Sequence, residues 1–224
     1  NQSFKDFNLY IIDDFSRDNS LQIVKGYSDQ RINIIKLKKN KGVHFCRNLG
    51  MRVSNSKYLA FIDSDDYWDK YKLENQIEFM EKFHHDFTYT DYTPFKEINN
   101  EKIFLKKIVV KEKFTFNEFI LNSSIAMSTV IIKRHLIKNL KFKKLEICED
   151  YLFKCEVLKI REAFKCKKGE MFYKISKNSL QSNKFKNIYW VWRINSKFNK
   201  FNIFKNFFSV LMISLNSLKK YGFK

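Results

Sequence analysis

The sequence predicts an α/β fold in which a mostly parallel central sheet is flanked by helices. Three observations carry that expectation: short β-rich runs alternate with helical stretches over residues 1–92, acids follow two of those runs, and an apolar stripe at helical spacing closes the chain. With 224 residues, 44% of them apolar and 24 of them phenylalanine, the chain has material for a sizeable core, which argues against disorder.

Asn8-Leu9-Tyr10-Ile11-Ile12 reads as a buried strand that stops at Asp13-Asp14, and Asn19 to Tyr27 follows as a short helix that Asp18 or Asn19 can cap. Ile32 to Leu37 is a second strand. The polar turn Lys39-Asn40-Lys41-Gly42 leads to a helix over Val43–Val53, and Tyr58 to Ile62 is a third strand ending in acids. Strand and helix alternating in this way predict parallel pairing, with ligands beyond the carboxyl ends of the strands, where both acidic clusters fall. A helix over Trp68–Phe83 places Leu73, Ile77 and Met80 on one apolar face, and Phe87 to Tyr92 is again extended.

The single proline, Pro94, marks a change of character. Beyond it, strands are expected at 103–110 and 126–132, a short helix near 115–121, a helix over Glu149–Ile160 and an extended run over Met171–Ile175. From Lys184 the tail reads as an amphipathic helix, with Phe198, Phe201, Phe204, Phe208, Leu211, Leu215 and Leu218 at steps of three and four.

Composition excludes several function classes. No apolar run approaches the roughly 18–20 residues that span a bilayer, so a cytosolic protein is expected. The four cysteines, Cys46, Cys148, Cys155 and Cys166, stand far apart without metal-ligand spacing and read as reduced, mostly buried thiols. The net charge is +19, and residues 165–224 hold 14 bases against one acid, so the basic excess is concentrated at the C-terminus. Such a tail attracts an anionic surface. Nucleic acid is not the expected partner, because no recognised binding motif is present and the acids cluster where a phosphate backbone would be repelled.

Four clusters can carry chemistry. In Phe61-Ile62-Asp63-Ser64-Asp65-Asp66-Tyr67-Trp68, three carboxylates within four residues follow a buried strand and repel one another unless a cation or a set of donors compensates them. Magnesium or manganese suits, since both take oxygen ligands and complete their shells with the phosphates of a nucleotide diphosphate. The plainer reading is an acidic turn, with Asp66 capping the next helix. Asp13-Asp14 can accept hydrogen bonds from a base N–H or from ribose hydroxyls, although such acids are also ordinary turn residues. Asn40-Lys41-Gly42 with Arg47-Asn48-x-Gly50 offers phosphate a tight turn, a helix start and the cations Lys41 and Arg47, or it is a loop and a solvated helix face. Glu149-Asp150 open a helix, where acids also favour the helix dipole.

In order and spacing, Asp13-Asp14-x-Ser16-x-Asp18-x-Ser20, Asn40-x-Gly42, Arg47-Asn48-x-Gly50 and Phe61-Ile62-Asp63-Ser64-Asp65-Asp66-x-Trp68 with Lys72-Leu73-Glu74-x-Gln76 resemble the family 2 glycosyltransferases, which have the Rossmann-like GT-A fold. The match is dense over residues 1–92 and thinner through Ser128–Arg134, Glu149-Asp150 and Ser179–Arg193. The resemblance implies an inverting, metal-dependent, hexosyltransferase-type enzyme that moves a sugar from a nucleotide-diphosphate donor, UDP by family frequency, to a hydroxyl of a glycan or lipid-linked acceptor. Bacterial surface polysaccharide synthesis, of lipopolysaccharide or capsule, is the implied setting, with a catalytically silent partner or scaffold protein as the alternative.

Residue by residue, the resemblance puts Asp14, beside Asp13, at the base of the nucleotide. Asp63 and Asp65 fall on the D-x-D positions, with Asp65 as direct metal ligand. Asp150 is implied as catalytic base, preceded by Glu149, while Lys41 or Arg47 assists the diphosphate. The division expected is a domain over residues 1–183, with a nucleotide-binding half at 1–92 and an acceptor half at 93–183, followed by a basic tail at 184–224. That tail either docks on an anionic inner-membrane surface, making the protein peripheral on its cytoplasmic face, or packs on the domain. The resemblance also implies that the family's first strand and helix precede Asn1, a loss that would expose the edges of neighbouring strands. Phe15 stands where the family usually has Gly, so a local difference in that turn is expected.

Overall fold

The structure, a computed structural model, describes residues 1–99, 101–176 and 183–221; Ser179 and the last three residues of the tail, both singled out above, lie outside them. β1 (Leu9–Asp13), α1 (Ser20–Lys25) and β2 (Ile32–Lys36) form a strand–helix–strand unit, with Leu9 opposite Ile32 and Asp13 opposite Lys36 in a parallel pair. A parallel pair needs such a crossover. α2 (Val43–Val53) then leads to β3 (Tyr58–Ala60).

β3 does not extend that pair. It lies antiparallel to β8 (Ile131–Lys133) in a seven-stranded sheet ordered β3-β8-β5-β9-β4, where β4 is Tyr67–Trp68, β5 is Phe87–Ile98 and β9 is Ala163–Lys174. β6 (Glu101–Phe104) pairs with β5, and β7 (Lys113–Phe114) with β9. Only β5 and β9 pair in parallel within this sheet, among the described residues, so the sheet is mixed and the mostly parallel expectation is corrected. The reason lies in the connections. Strict strand–helix alternation ends with α3 (Lys72–Lys82), after which β5 turns back upon β6 beyond Asn99, and antiparallel neighbours need no helical crossover.

Other boundaries move for local reasons. The helix expected from Trp68 starts at Lys72, because Tyr67 and Trp68 pair with Phe172 and Met171. The run at 103–110 stops pairing as a strand at Phe104, and Ile108 only bridges Tyr92. Met127–Thr129 is a 3-10 turn that precedes the strand at Ile131. α4 (Phe116–Phe119) is one turn long and held by a capping box in which Thr115 and Glu118 bond each other's backbone N–H.

The core is built on Phe87, Tyr89, Phe114, Phe119, Ile132 and Phe153, all fully buried. On α3, Leu73 and Met80 are buried as their spacing predicts, whereas Ile77 is only partly covered. Lys72 and Gln76 are buried as well. Lys72 Nζ donates to Gln76 Oε1 at 2.9 Å and lies 4.2 Å from the Trp68 ring, while Gln76 Nε2 donates to Thr88 Oγ1 and to the carbonyl of Thr129. Burial pushes the Lys72 ammonium down to about 7. A Cβ on Gly169, whose φ is 85°, would sit 2.9 Å from Lys72 Cα, so β9 can approach α3 this closely only through glycine.

The tail is two helices, not the one expected. α6 (Lys184–Phe198) and α7 (Ile203–Tyr221) are separated by Lys200 and Phe201, whose φ values of 51° and 58° end the first helix. α6 joins the core through Ile194, and Phe198 meets Phe116 edge-on. All four cysteines are free thiols.

Candidate active site

The loops after β1 and β3 meet the starts of α2 and α5 (Glu149–Leu158). Asp13, at the end of β1, is buried; its Oδ1 accepts from the Ser16 N–H at 3.2 Å, and its buried Oδ2 has no partner. Asp14 Oδ1 and Oδ2 accept from the N–H groups of Lys41 and Gly42 at 2.6 and 2.7 Å, so this acid closes the start of α2. Two of the amides expected to receive phosphate are thereby taken. The Lys41 ammonium is exposed, 5.6 Å from the Phe45 ring.

Phe15 has φ 66°, the left-handed conformation natural to glycine. Phe15 is 42% exposed and packs little, which makes the strain removable. Phe15→Gly is expected to raise the unfolding free energy in urea by about 0.5–1 kcal/mol, since left-handed strain of about 1–2 kcal/mol outweighs the entropy of glycine; a destabilised variant would contradict this.

Arg47, on the second turn of α2, joins the separate pieces. Its Nη2 donates to Asp63 Oδ1 at 2.6 Å and its Nη1 to Glu149 Oε1 at 2.9 Å, with the side chain only 11% exposed and stacked 5.4 Å from the Phe142 ring. Both terminal nitrogens serve acids, so of the two expected cations only Lys41 is open to solvent. Next to Arg47, Asn48 bonds both backbone polar groups of Phe142 at 2.8 Å.

The three acids after β3 separate in role. Asp66 is buried, accepting from Ser128 Oγ at 2.6 Å and from the Lys174 N–H at 3.0 Å. It does not cap α3, correcting that alternative; it ties the loop to β9. Burial, reinforced by the charges of Asp63 and Asp65 and opposed by those two hydrogen bonds, pushes its carboxyl up to about 6. Ser128 Oγ in turn accepts from the Asp63 N–H at 3.0 Å. Asp65 is exposed and has no hydrogen bond or ion pair among the described residues. No three His, Cys, Asp or Glu side chains among the described residues form a metal cage. The oxygen set of Asp65 and Asp63 nevertheless fits a hard ion that takes one or two protein carboxylates and completes its shell with substrate phosphate.

At the start of α5, Cys148 has φ 63°, a strained value that sets the direction in which Glu149 and Asp150 leave the preceding loop. Burial and the Asp150 charge raise the Glu149 carboxyl above its usual range, with Arg47 opposing. Asp150 Oδ2 accepts from Lys154 Nζ at 2.7 Å, and the same ammonium donates to the Ile125 carbonyl at 2.7 Å. Burial raises the Asp150 carboxyl, but Lys154 and Arg47 outweigh it and hold the group below the ordinary value, so it is ionised at neutral pH.

Comparison with known proteins places the chain in a family. The sequence profile described as Glycosyl transferase family 2 matches residues 1–141. The chain belongs to that family. An uncharacterized glycosyltransferase of Haemophilus influenzae is 30% identical over 99% of this chain and 88% of its own length. The Escherichia coli protein WfgD, named a UDP-Glc:alpha-D-GlcNAc-diphosphoundecaprenol beta-1,3-glucosyltransferase, is 32% identical over 99% of this chain and 86% of its own. Among solved structures, Staphylococcus aureus TarS 1–349 in complex with UDP-GlcNAc superposes with a TM-score of 0.70 at 21% identity, covering 100% of this chain and 66% of that one. The chain thus spans just under two thirds of the TarS structure, and the likeness establishes the GT-A fold.

For this family 2 glycosyltransferase the structure brings Arg47, Asp63, Glu149 and Asp150 together, places Asp13 and Asp14 at the other end of the same α2 start, and leaves Lys41 and Asp65 facing solvent. Sequence reasoning missed Ser128 and Lys154. Lys154 had a signal, standing four residues after an acid on an expected helix. Ser128 opened a run that the resemblance matched but had no role assigned, because that role exists only once the loop before β8 reaches the acids after β3.

Proposed function

We propose that the chain is an inverting, metal-dependent glycosyltransferase that moves a sugar from a UDP-sugar to a hydroxyl of a lipid-linked or glycan acceptor in bacterial surface polysaccharide synthesis. The observation that carries this reading is the single Arg47 guanidinium bonded to both Asp63 and Glu149, which puts the D-x-D loop and the acid pair of α5 in one site. The activity for which WfgD is named and the UDP-GlcNAc bound by TarS support the donor and acceptor classes.

In this reading residues 1–92 hold the nucleotide, with Asp14, beside Asp13 at the end of β1, at its base. Asp65, with the second oxygen of Asp63, would hold magnesium or manganese, which when bound supplies positive charge to the departing diphosphate. Lys41 adds charge from the start of α2. Asp150, kept ionised by Lys154, takes the proton of the acceptor hydroxyl as its oxygen attacks the anomeric carbon opposite the leaving group. One displacement inverts the centre without a covalent enzyme intermediate.

A screen of UDP-sugars that follows UDP release with and without manganese tests the proposal. Metal-stimulated release with one donor is expected, and Asp65→Asn should lower it by about 10²–10³-fold. Turnover of Asp65→Asn at the parent rate, or donor release indifferent to the ion, would remove the assigned role of the D-x-D loop.

A further inference from the structure

α7 turns polar side chains, together with Ile213, to the protein and a row of large apolar ones to solvent. The face turned to the protein carries Asn206 and Ser209, each 1% exposed: Asn206 Nδ2 donates to Ser196 Oγ and the Trp192 carbonyl, and Ser209 Oγ accepts from Asn195 Nδ2. The opposite face presents Phe204, Phe208, Leu211 and Leu215 to solvent at 87, 53, 43 and 51% exposure. On α6, Phe185 and Tyr189 are 86 and 54% exposed. Large apolar side chains in a continuous helical row are held in water only at a cost, and such a row marks a surface that meets something apolar.

We infer that α6 and α7 form a docking surface for an anionic phospholipid bilayer, lying in its interface with the Phe204–Leu215 row buried among the acyl chains. Charge chooses this occupant. Residues 184–224 contain nine Lys and Arg and no acid, so two copies set face to face would repel, while anionic headgroups supply the missing counter-charge. No helix among the described residues is long and apolar enough to cross a membrane, which leaves the in-plane mode. The inference extends the proposed transfer reaction, to which a bilayer would present a lipid-linked acceptor, but its evidence does not depend on that reaction.

Flotation of the chain with vesicles tests it without any donor. The parent is expected to float with phosphatidylglycerol-containing vesicles, and about tenfold or more weakly with phosphatidylcholine alone or at high salt. F204S/F208S/L211Q/L215Q, which alters only exposed positions, should lose about tenfold or more in vesicle affinity with an unchanged melting temperature. K197Q/K205Q/K219Q should lose about fivefold per base removed, as about 1 kcal/mol each implies. A parent that ignores anionic vesicles, or an apolar variant that binds them as tightly as the parent, overturns the inference. So does a parent dimer in sedimentation that the apolar variant dissolves, which would assign the face to a second copy. Vesicle binding by a chain that transfers no sugar would uphold this surface while sinking the proposed reaction.

Discussion

Asp150→Asn is expected to lower the rate of sugar transfer by about 10²–10⁴-fold while leaving UDP affinity within a factor of about two. The variant keeps the shape of the side chain but removes the carboxylate that the buried cation Lys154, itself 4% exposed, holds ionised. Nucleotide contacts are assigned to the loops after β1 and β3, so affinity should not follow activity. Single-turnover transfer and equilibrium UDP binding measure the two separately. A companion, Lys154→Met, has a signature that mere packing damage lacks. Lys154 lowers the Asp150 carboxyl, so its loss raises that group, and activity should fall away at higher pH on the acid side of the profile than in the parent. Transfer by Asp150→Asn at the parent rate would show that the base lies elsewhere.

Arg47→Met carries the largest expected effect on stability, about 3–5 kcal/mol, because it strands the largely buried Glu149 carboxylate that shared its guanidinium with Asp63. Asp63 is 42% exposed and can turn to water, so most of the loss falls on Glu149, which is 11% exposed. The sign of the pH dependence follows. The folded Glu149 carboxyl already lies above its unfolded value through burial and the Asp150 charge, and Arg47 opposes that rise. Without Arg47 the rise grows, so the folded variant binds a proton that the unfolded chain releases, and its stability increases as pH falls from neutral toward the ordinary carboxylate range. Urea unfolding of parent and variant across that interval should show the gap narrowing. A constant gap would mean that Arg47 acts by packing on Phe142 alone, its ring contact being the other thing the mutation removes.

Much of the candidate site is legible in the sequence. Acids at the ends of β1 and β3 and at the start of α5, with a basic residue early in α2, are local patterns whose spacing survives folding unchanged. The roles within each cluster were not legible. Asp65 and Asp66 are neighbours of the same type, yet one faces water and the other is buried on Ser128 and the Lys174 amide, because β9 passes beside only one of them. Arg47 was an expected phosphate cation and is instead engaged by two acids, one from the far half of the chain.

By itself the sequence determined the parallel β1–β2 unit, the helices at α2 and α5 and the acids that the family resemblance singles out, all of which rest on local periodicity and turn chemistry. The tertiary structure decided the antiparallel pairings of the second half, the Lys72–Gln76 network and the outward row of α7. A helical repeat states which residues share a face. Which face meets water depends on what the neighbouring helix offers, and here α6 offers Asn195, Ser196 and the carbonyl of Trp192, to which Asn206 and Ser209 are the better match.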